Sequence, residues 1–136
     1  MATPADLLAH AKELLKSAGK DLEYRLVIER AYYAAFHAAQ EFEEALPRRS
    51  QVSTDKTGSH DGLFQRLECP DAKLDYGLRI ISQDIGAQMR LLKPLRELAS
   101  YELHETIRVD QAEAAIAGAE EVMAECGKAR KKITGG

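Results

Sequence analysis

The segment from about Asp21 to Leu46 constrains the fold of this chain more than any other. Leu22, Leu26, Tyr33, Ala34, Phe36, Ala39 and Phe42 recur there with the period of a helix, and Pro47 stops the pattern. A helix this long and this apolar belongs at the centre of a bundle. Tyr32, Tyr33, Phe36, His37 and Phe42 occupy more than one of its faces. A five-helix bundle of this size is not expected to cover all of them, so some are expected to face a partner.

The other segments are helical too. Thr3 is placed to cap a first helix from Pro4 to Ala18, with Gly19 suited to a left-handed residue after its end. Residues 47–58 are turn formers and charges with little to bury, which predicts a mobile loop before a short helix from about Ser59 to Leu67. A further pattern runs from about Asp71 to Leu103 through Leu74, Leu78, Ile81, Ile85, Met89, Leu92, Leu95 and Leu98, and Pro94 is expected to kink or divide it. Asp110 and Glu113 form an Asp-x-x-Glu variant of the capping box ahead of a last helix whose alanines and Gly118 favour close packing. With 45% hydrophobic and 30% charged residues and no long runs of Val, Ile and Thr, residues 1–136 are expected to form one all-α domain. Its predicted architecture is an up-and-down antiparallel bundle of about five helices.

Several function classes are disfavoured. No stretch approaches the ~20 apolar residues of a membrane span, and the N-terminus lacks the pattern of a secretory signal, so a cytoplasmic location without membrane contact is expected. Cys69 and Cys126 stand far apart and outside any Cys-x-x-Cys pattern, which predicts reduced thiols and neither a metal site nor a disulfide scaffold. No cofactor motif occurs. A net charge of −3 argues against broad electrostatic capture of nucleic acid, although Arg48, Arg49 and Lys56 cluster locally, and Lys128, Arg130, Lys131 and Lys132 are placed to complement the carbonyl end of the last helix. Phosphate loops, GxSxG elbows, HExxH pairs and calcium loops are all missing.

Placement then singles out residues. Arg30, Tyr33 and His37, spaced i, i+3 and i+7, line one strip of the second helix and can converge on a ligand or partner helix. The plainer alternative has Tyr33 and His37 at the edge of the core and Arg30 paired with a carboxylate such as Asp84. His60 opens the short helix, where unpaired backbone N–H groups can hold an anion, or where it only caps. His104 follows Tyr101 by three residues and is expected on the same helical face. Arg96 and Tyr101 lie about 140 degrees apart on an ideal helix, so a kink or a second protomer is expected to bring them together.

Three separated motifs give the chain a family resemblance. Glu29-Arg30-Ala31-Tyr32-Tyr33-Ala34-Ala35-Phe36-His37-Ala38-Ala39, then Gly58-Ser59-His60 before Phe64, then Arg96-Glu97-Leu98-Ala99-Ser100-Tyr101 together resemble the HEPN domain, over roughly residues 20–128. They are most similar to an uncharacterised prokaryotic group with an R-x-Y-Y-A-x-F helix, an S-H helix start and an R-x-x-A-D-Y segment. The resemblance implies a dimerising helical bundle with a cleft at the two-fold interface. In many relatives that cleft is a metal-independent ribonuclease acting as a toxin or in defence, with an arginine and a histidine four to six residues apart. An alternative within the family is a non-catalytic module that binds a nucleotide or a protein, partnered with a nucleotidyltransferase acting as antitoxin.

The expected site follows from that likeness. Arg96, Tyr101 and His104 are the catalytic candidates, with Arg96 carrying phosphate charge, His104 or His60 transferring protons, and Tyr101 and Arg30 positioning the substrate. Arg30, Tyr33, His37 and His60 are the substrate-binding candidates, for RNA or a nucleotide. The sequence departs from the nuclease pattern because Tyr101 stands where the histidine is usual and seven residues separate Arg96 from His104. Leu103 stands where the toxin variant has tyrosine, so modification of that tyrosine by a partner enzyme does not carry over, and Ser100 replaces the aspartate of the narrower group. The expected homodimer interface is the second helix together with the segment from Arg96 to His104.

Overall fold

The computed structural model describes residues 1–134. Five helices hold most of them: α1 (Pro4–Ser17), α2 (Asp21–Ala45), α3 (Ser59–Glu68), α4 (Tyr76–Tyr101) and α5 (Val109–Thr134), with no strand among the described residues. The expected all-α bundle is present, and no described helix is long and apolar enough to cross a membrane.

Specific polar contacts start and stop the helices. Thr3 Oγ1 accepts from Asp6 N at 3.1 Å and Asp6 returns the contact to Thr3 N at 3.0 Å, so a full capping box opens α1. Ala18 leaves that helix in an extended conformation. Gly19 therefore does not supply the expected left-handed stop. The helix expected from Asp71 starts later, because Asp75 accepts from Leu78 N at 3.1 Å and caps α4, while Asp71 turns the preceding segment by accepting from Lys73 N. At the start of α5 the expected box is displaced. Asp110 lies inside the first turn and pairs with Arg108, and it is Gln111 that reaches back to Arg108 N at 2.8 Å.

Contacts fix the direction of each helix. Asp21 meets Ile107 at one end of α2 and Ala38 meets Cys126 further along, so α2 and α5 run parallel. Arg25 bonds Leu98 while Arg96 bonds Tyr33, so α4 runs antiparallel to α2. Lys12 pairs with Glu120 at 2.9 Å on the other side. The parallel pair α2 and α5 forms the middle, α1 and α4 flank it without touching each other, and α3 lies on α4. Small residues permit this, since Ala31, Ala34, Ala35, Ala39, Ala112, Ala115 and Ala119 are all fully buried. A Cβ on Gly118 would stand 2.7 Å from Leu92 Cδ2, so α4 and α5 approach over the space a side chain would fill.

The covered face of α2 is the expected one in part, with Ala34, Phe36, Ala39 and Phe42 buried. Tyr32, Phe36 and Phe42 are buried within this one chain, whereas Leu22, Leu26 and Tyr33 are left on the outside. Neighbouring helices cover most of α2 but, as expected, not all of its rings, since Tyr33 and His37 are left exposed. Pro94 does not divide α4. It lies on the exposed side, where water can meet the carbonyl group its missing N–H leaves free.

Two buried charges organise the ends. Arg25, 4% exposed, donates from Nε to Asp21 at 2.6 Å and from its two terminal nitrogens to the carbonyl oxygens of Leu98, Ala99, Glu102 and Glu105. One side chain of α2 thus closes the carbonyl end of α4. Asp21, held below the usual carboxylate range by the Arg25 hydrogen bond and by Ile107 N–H, secures the turn into α5. Burial pushes the Glu43 carboxyl up, but Arg49 and Arg66 outweigh it and keep it ionised. Through Arg49, and through Arg66 to Thr54 at 2.8 Å, the loop expected to be mobile is tied to α2 and α3 by its charges. Replacing Arg25 by Met removes its five hydrogen bonds from those four carbonyls and Asp21. We expect Arg25→Met to lower unfolding stability by about 2–4 kcal/mol in chemical denaturation, and an unchanged midpoint contradicts this role for Arg25.

Candidate functional site

Arg96 projects from the last turns of α4 toward α2. Its guanidinium carbon lies 5.5 Å from the centre of the Tyr32 ring, 5.9 Å from that of Tyr33 and 5.3 Å from that of Tyr101. One terminal nitrogen is 3.4 Å from the Tyr33 hydroxyl, and Nε is buried without a partner. No carboxylate pairs with Arg96 among the described residues. Neighbouring cations are neutralised, with Lys93 on Asp61 at 2.7 Å and Arg90 on Glu68 at 2.9 Å. An arginine held by ring faces keeps its charge available to an anion.

Arg96 and Tyr101 meet within one chain, contrary to the expectation that a kink or a second protomer is needed. Side chains on a helix lean toward its N-terminus, so the Tyr101 ring at the last residue of α4 reaches back over the long arginine. His104 does not share that face. α4 ends at Tyr101, and His104 lies in the following turn, exposed, with Glu105 at 3.4 Å as its recorded partner.

The imidazole that does approach the cluster comes from α3. His60 Nδ1 is 2.6 Å from the Tyr32 hydroxyl, and its ring stacks on Phe36 with centroids 4.2 Å apart. Burial lowers its pKa, with Arg96 and Lys93 acting in the same direction and Asp61 opposing them. Tyr32 is only 1% exposed, and burial pushes its phenol up so that it stays protonated. On the outer side Tyr33 and His37 stack at 6.2 Å, both exposed. Three helices therefore bring Arg96, His60 and the rings of Tyr32, Tyr33, Phe36, His37 and Tyr101 into one cluster.

The family model of the HEPN domain matches residues 5–130. The chain belongs to the HEPN domain family. No curated protein and no solved structure matches it.

Within this HEPN domain, Tyr33, His37, His60, Arg96 and Tyr101 lie in one cluster and His104 stands apart. Arg30 is half-buried and forms no ion pair with Asp84 or with any other described residue. Tyr32 is the member the sequence did not single out. Its signal was the i, i+4 register with Phe36, which places a hydroxyl on a core face where it needs a partner. An apolar cavity of about 380 Å³ lies between α1, α2 and α5, lined by Pro4, Phe42, Met123, Cys126 and Ile133 among others. It shares no residue with the Arg96 cluster, and burial raises the Cys126 thiol pKa to about 12, which leaves it unreactive.

His60 makes the cluster sensitive to pH. Its folded pKa lies below the unfolded value of about 6.5, so the unfolded chain takes up the proton more readily. The stability this contributes is complete above about pH 6.5 and is lost as pH falls through the folded pKa. Melting midpoints measured from pH 7.5 down to pH 5 are expected to fall for the parent protein and less for His60→Gln. Parallel profiles would contradict the assignment of that pH dependence to His60.

Proposed function

We propose that this HEPN domain binds RNA through the Arg96 cluster and, as a homodimer, cleaves it without a metal. Arg96 holds a phosphate, and the exposed rings of Tyr33 and Tyr101 give adjoining bases faces to stack on. In the cleavage step the ribose 2′-oxygen forms a bond to phosphorus and the bond to the 5′-oxygen breaks. An imidazole takes the 2′-hydroxyl proton, a proton is delivered to the departing oxygen, and the guanidinium stabilises the extra charge on the phosphorane. The observation that carries this reading is Arg96 itself, a cation without a carboxylate, enclosed by three tyrosines and set beside an imidazole from another helix.

A two-fold axis along the strip of Leu22, Leu26 and Tyr33, 68%, 42% and 37% exposed, would cover apolar surface the single chain leaves in water and would bring two Arg96 clusters into one cleft. A second reading, a non-catalytic nucleotide-binding module serving a nucleotidyltransferase partner, is favoured by Tyr101 standing in place of the histidine and by His104 lying outside the cluster.

Incubating purified protein with single-stranded RNA in excess EDTA separates these readings. Cleavage to cyclic-phosphate ends is expected, with Arg96→Ala lowering the rate at least about a hundredfold. Saturable binding with intact RNA supports the second reading, and neither binding nor cleavage contradicts both. Sedimentation is expected to give about twice the 15.1 kDa of one chain, whereas a mass of one chain contradicts the composite cleft. A role as toxin or defence factor predicts that expression in a bacterial host arrests growth in the parent and not in Arg96→Ala.

A further inference from the structure

The hydrogen bond between Tyr32 and His60 decides which nitrogen of His60 is offered to a ligand. Tyr32 is 1% exposed, and its hydroxyl has one recorded partner, His60 Nδ1, at 2.6 Å. If Nδ1 carried a hydrogen and donated it to the phenol oxygen, the phenolic hydrogen would be left in the interior without an acceptor. Folded proteins rarely leave a buried donor unmade. The phenol therefore donates, Nδ1 accepts, and the single hydrogen of a neutral ring sits on Nε2.

The surroundings hold this arrangement. Phe36 stacks on the imidazole with the planes 19° apart, and the Tyr32 ring lies 4° from parallel to it, so a tilt of the ring loses both contacts and a half-turn loses the Tyr32 hydrogen bond. The charged and titratable groups around it are Arg96 and Lys93 from α4, Asp61 from α3, and Tyr32 and His37 from α2. Asp61 is already taken by Lys93. Among the described residues His60 Nε2 forms no hydrogen bond and, unlike Arg96 Nε, is not sealed from solvent. Arg96 over the Tyr32 ring and the Nε2–H of His60 beside it are thus two donors that no carboxylate among the described residues bonds.

We propose that Tyr32 fixes His60 as a neutral imidazole whose Nε2–H, together with Arg96, binds an oxygen of a phosphoryl group. The proposal rests on the Arg96 cluster being a phosphate site, and it assigns roles within it. His60 is a hydrogen-bond donor to the phosphoryl oxygen and not the base. Tyr32 is a positioning residue. His37, stacked on Tyr33, is left as the imidazole of the cluster free to take a proton.

Histidine-selective ¹⁵N NMR on the full chain tests this, with His60→Gln identifying the His60 signals and inorganic phosphate as the probe. At pH 7.5 the expected tautomer is Nε2–H. Tyr32→Phe is expected to raise the His60 pKa, because a donor to Nδ1 favours the unprotonated ring, whereas an acceptor from Nδ1–H would favour the protonated one. Phosphate is expected to shift the His60 signals saturably, with a dissociation constant about tenfold higher in Tyr32→Phe. An Nδ1–H tautomer, or a His60 pKa that falls in Tyr32→Phe, overturns the proposal. Should that variant not fold, the parent tautomer alone decides. Phosphate that leaves the His60 signals unmoved also overturns the donor role, and if RNA is still bound or cleaved, the RNA reading stands without it.

Discussion

Arg25 is the contact on which the rest of the molecule depends. A helix end leaves carbonyl groups that water or a donor must satisfy. Here the donor is a single guanidinium sent from the first turns of α2 into the end of α4, 4% exposed and bonded to four carbonyl oxygens and Asp21. Burying that charge is favourable only because every hydrogen bond it offers is taken. The consequence is positional. α4 stops at Tyr101, the turn to α5 is secured through Asp21 and Ile107, and the last turns of α4 are registered against the middle of α2.

That register builds the candidate surface. With Leu98 and Ala99 held at Arg25, and Ser100 donating to Glu29 at 2.9 Å, Arg96 faces Tyr32 and Tyr33. Each cation–ring contact contributes on the order of 1 kcal/mol, enough together to hold the guanidinium without a carboxylate. A carboxylate would hold it more firmly and would also neutralise it. Ser82 bonding Leu67 O at 2.7 Å fastens α3 to α4 and so brings His60 to the same place.

Helix-scale features of this HEPN domain were legible because they follow from periodicity and punctuation. Thr3, Pro4 and Pro47 mark real boundaries, and Leu78, Ile81, Ile85 and Met89 are buried as their spacing indicates. The misreadings share a cause, which is that tertiary contacts decided the outcome. Pro94 was tolerated because its side of α4 faces water, and Gln111 took the capping role because Asp110 had Arg108 to pair with. Arg25 and Glu43 went unread, although each stands in register with Ile28 or Ala39, where a charge signals a buried partner. At the site, Arg96 and Tyr101 were legible from the family pattern. His60 was named as a candidate beside His104, but that it and not His104 lies in the Arg96 cluster was not legible, because α3 is separate in sequence and His60 is held there by the Tyr32 hydrogen bond and the Phe36 stack.

The central claim is that an unpaired arginine, displayed on tyrosine rings beside a fixed imidazole, receives an RNA phosphate. A crystal structure with a short single-stranded oligoribonucleotide, 2′-O-methylated so that its strand stays intact, tests it most directly. The account predicts a phosphate oxygen within hydrogen-bond distance of Arg96 and His60 Nε2, with a base against Tyr33 or Tyr101. An oligonucleotide bound elsewhere on the bundle, with Arg96 untouched, would contradict it.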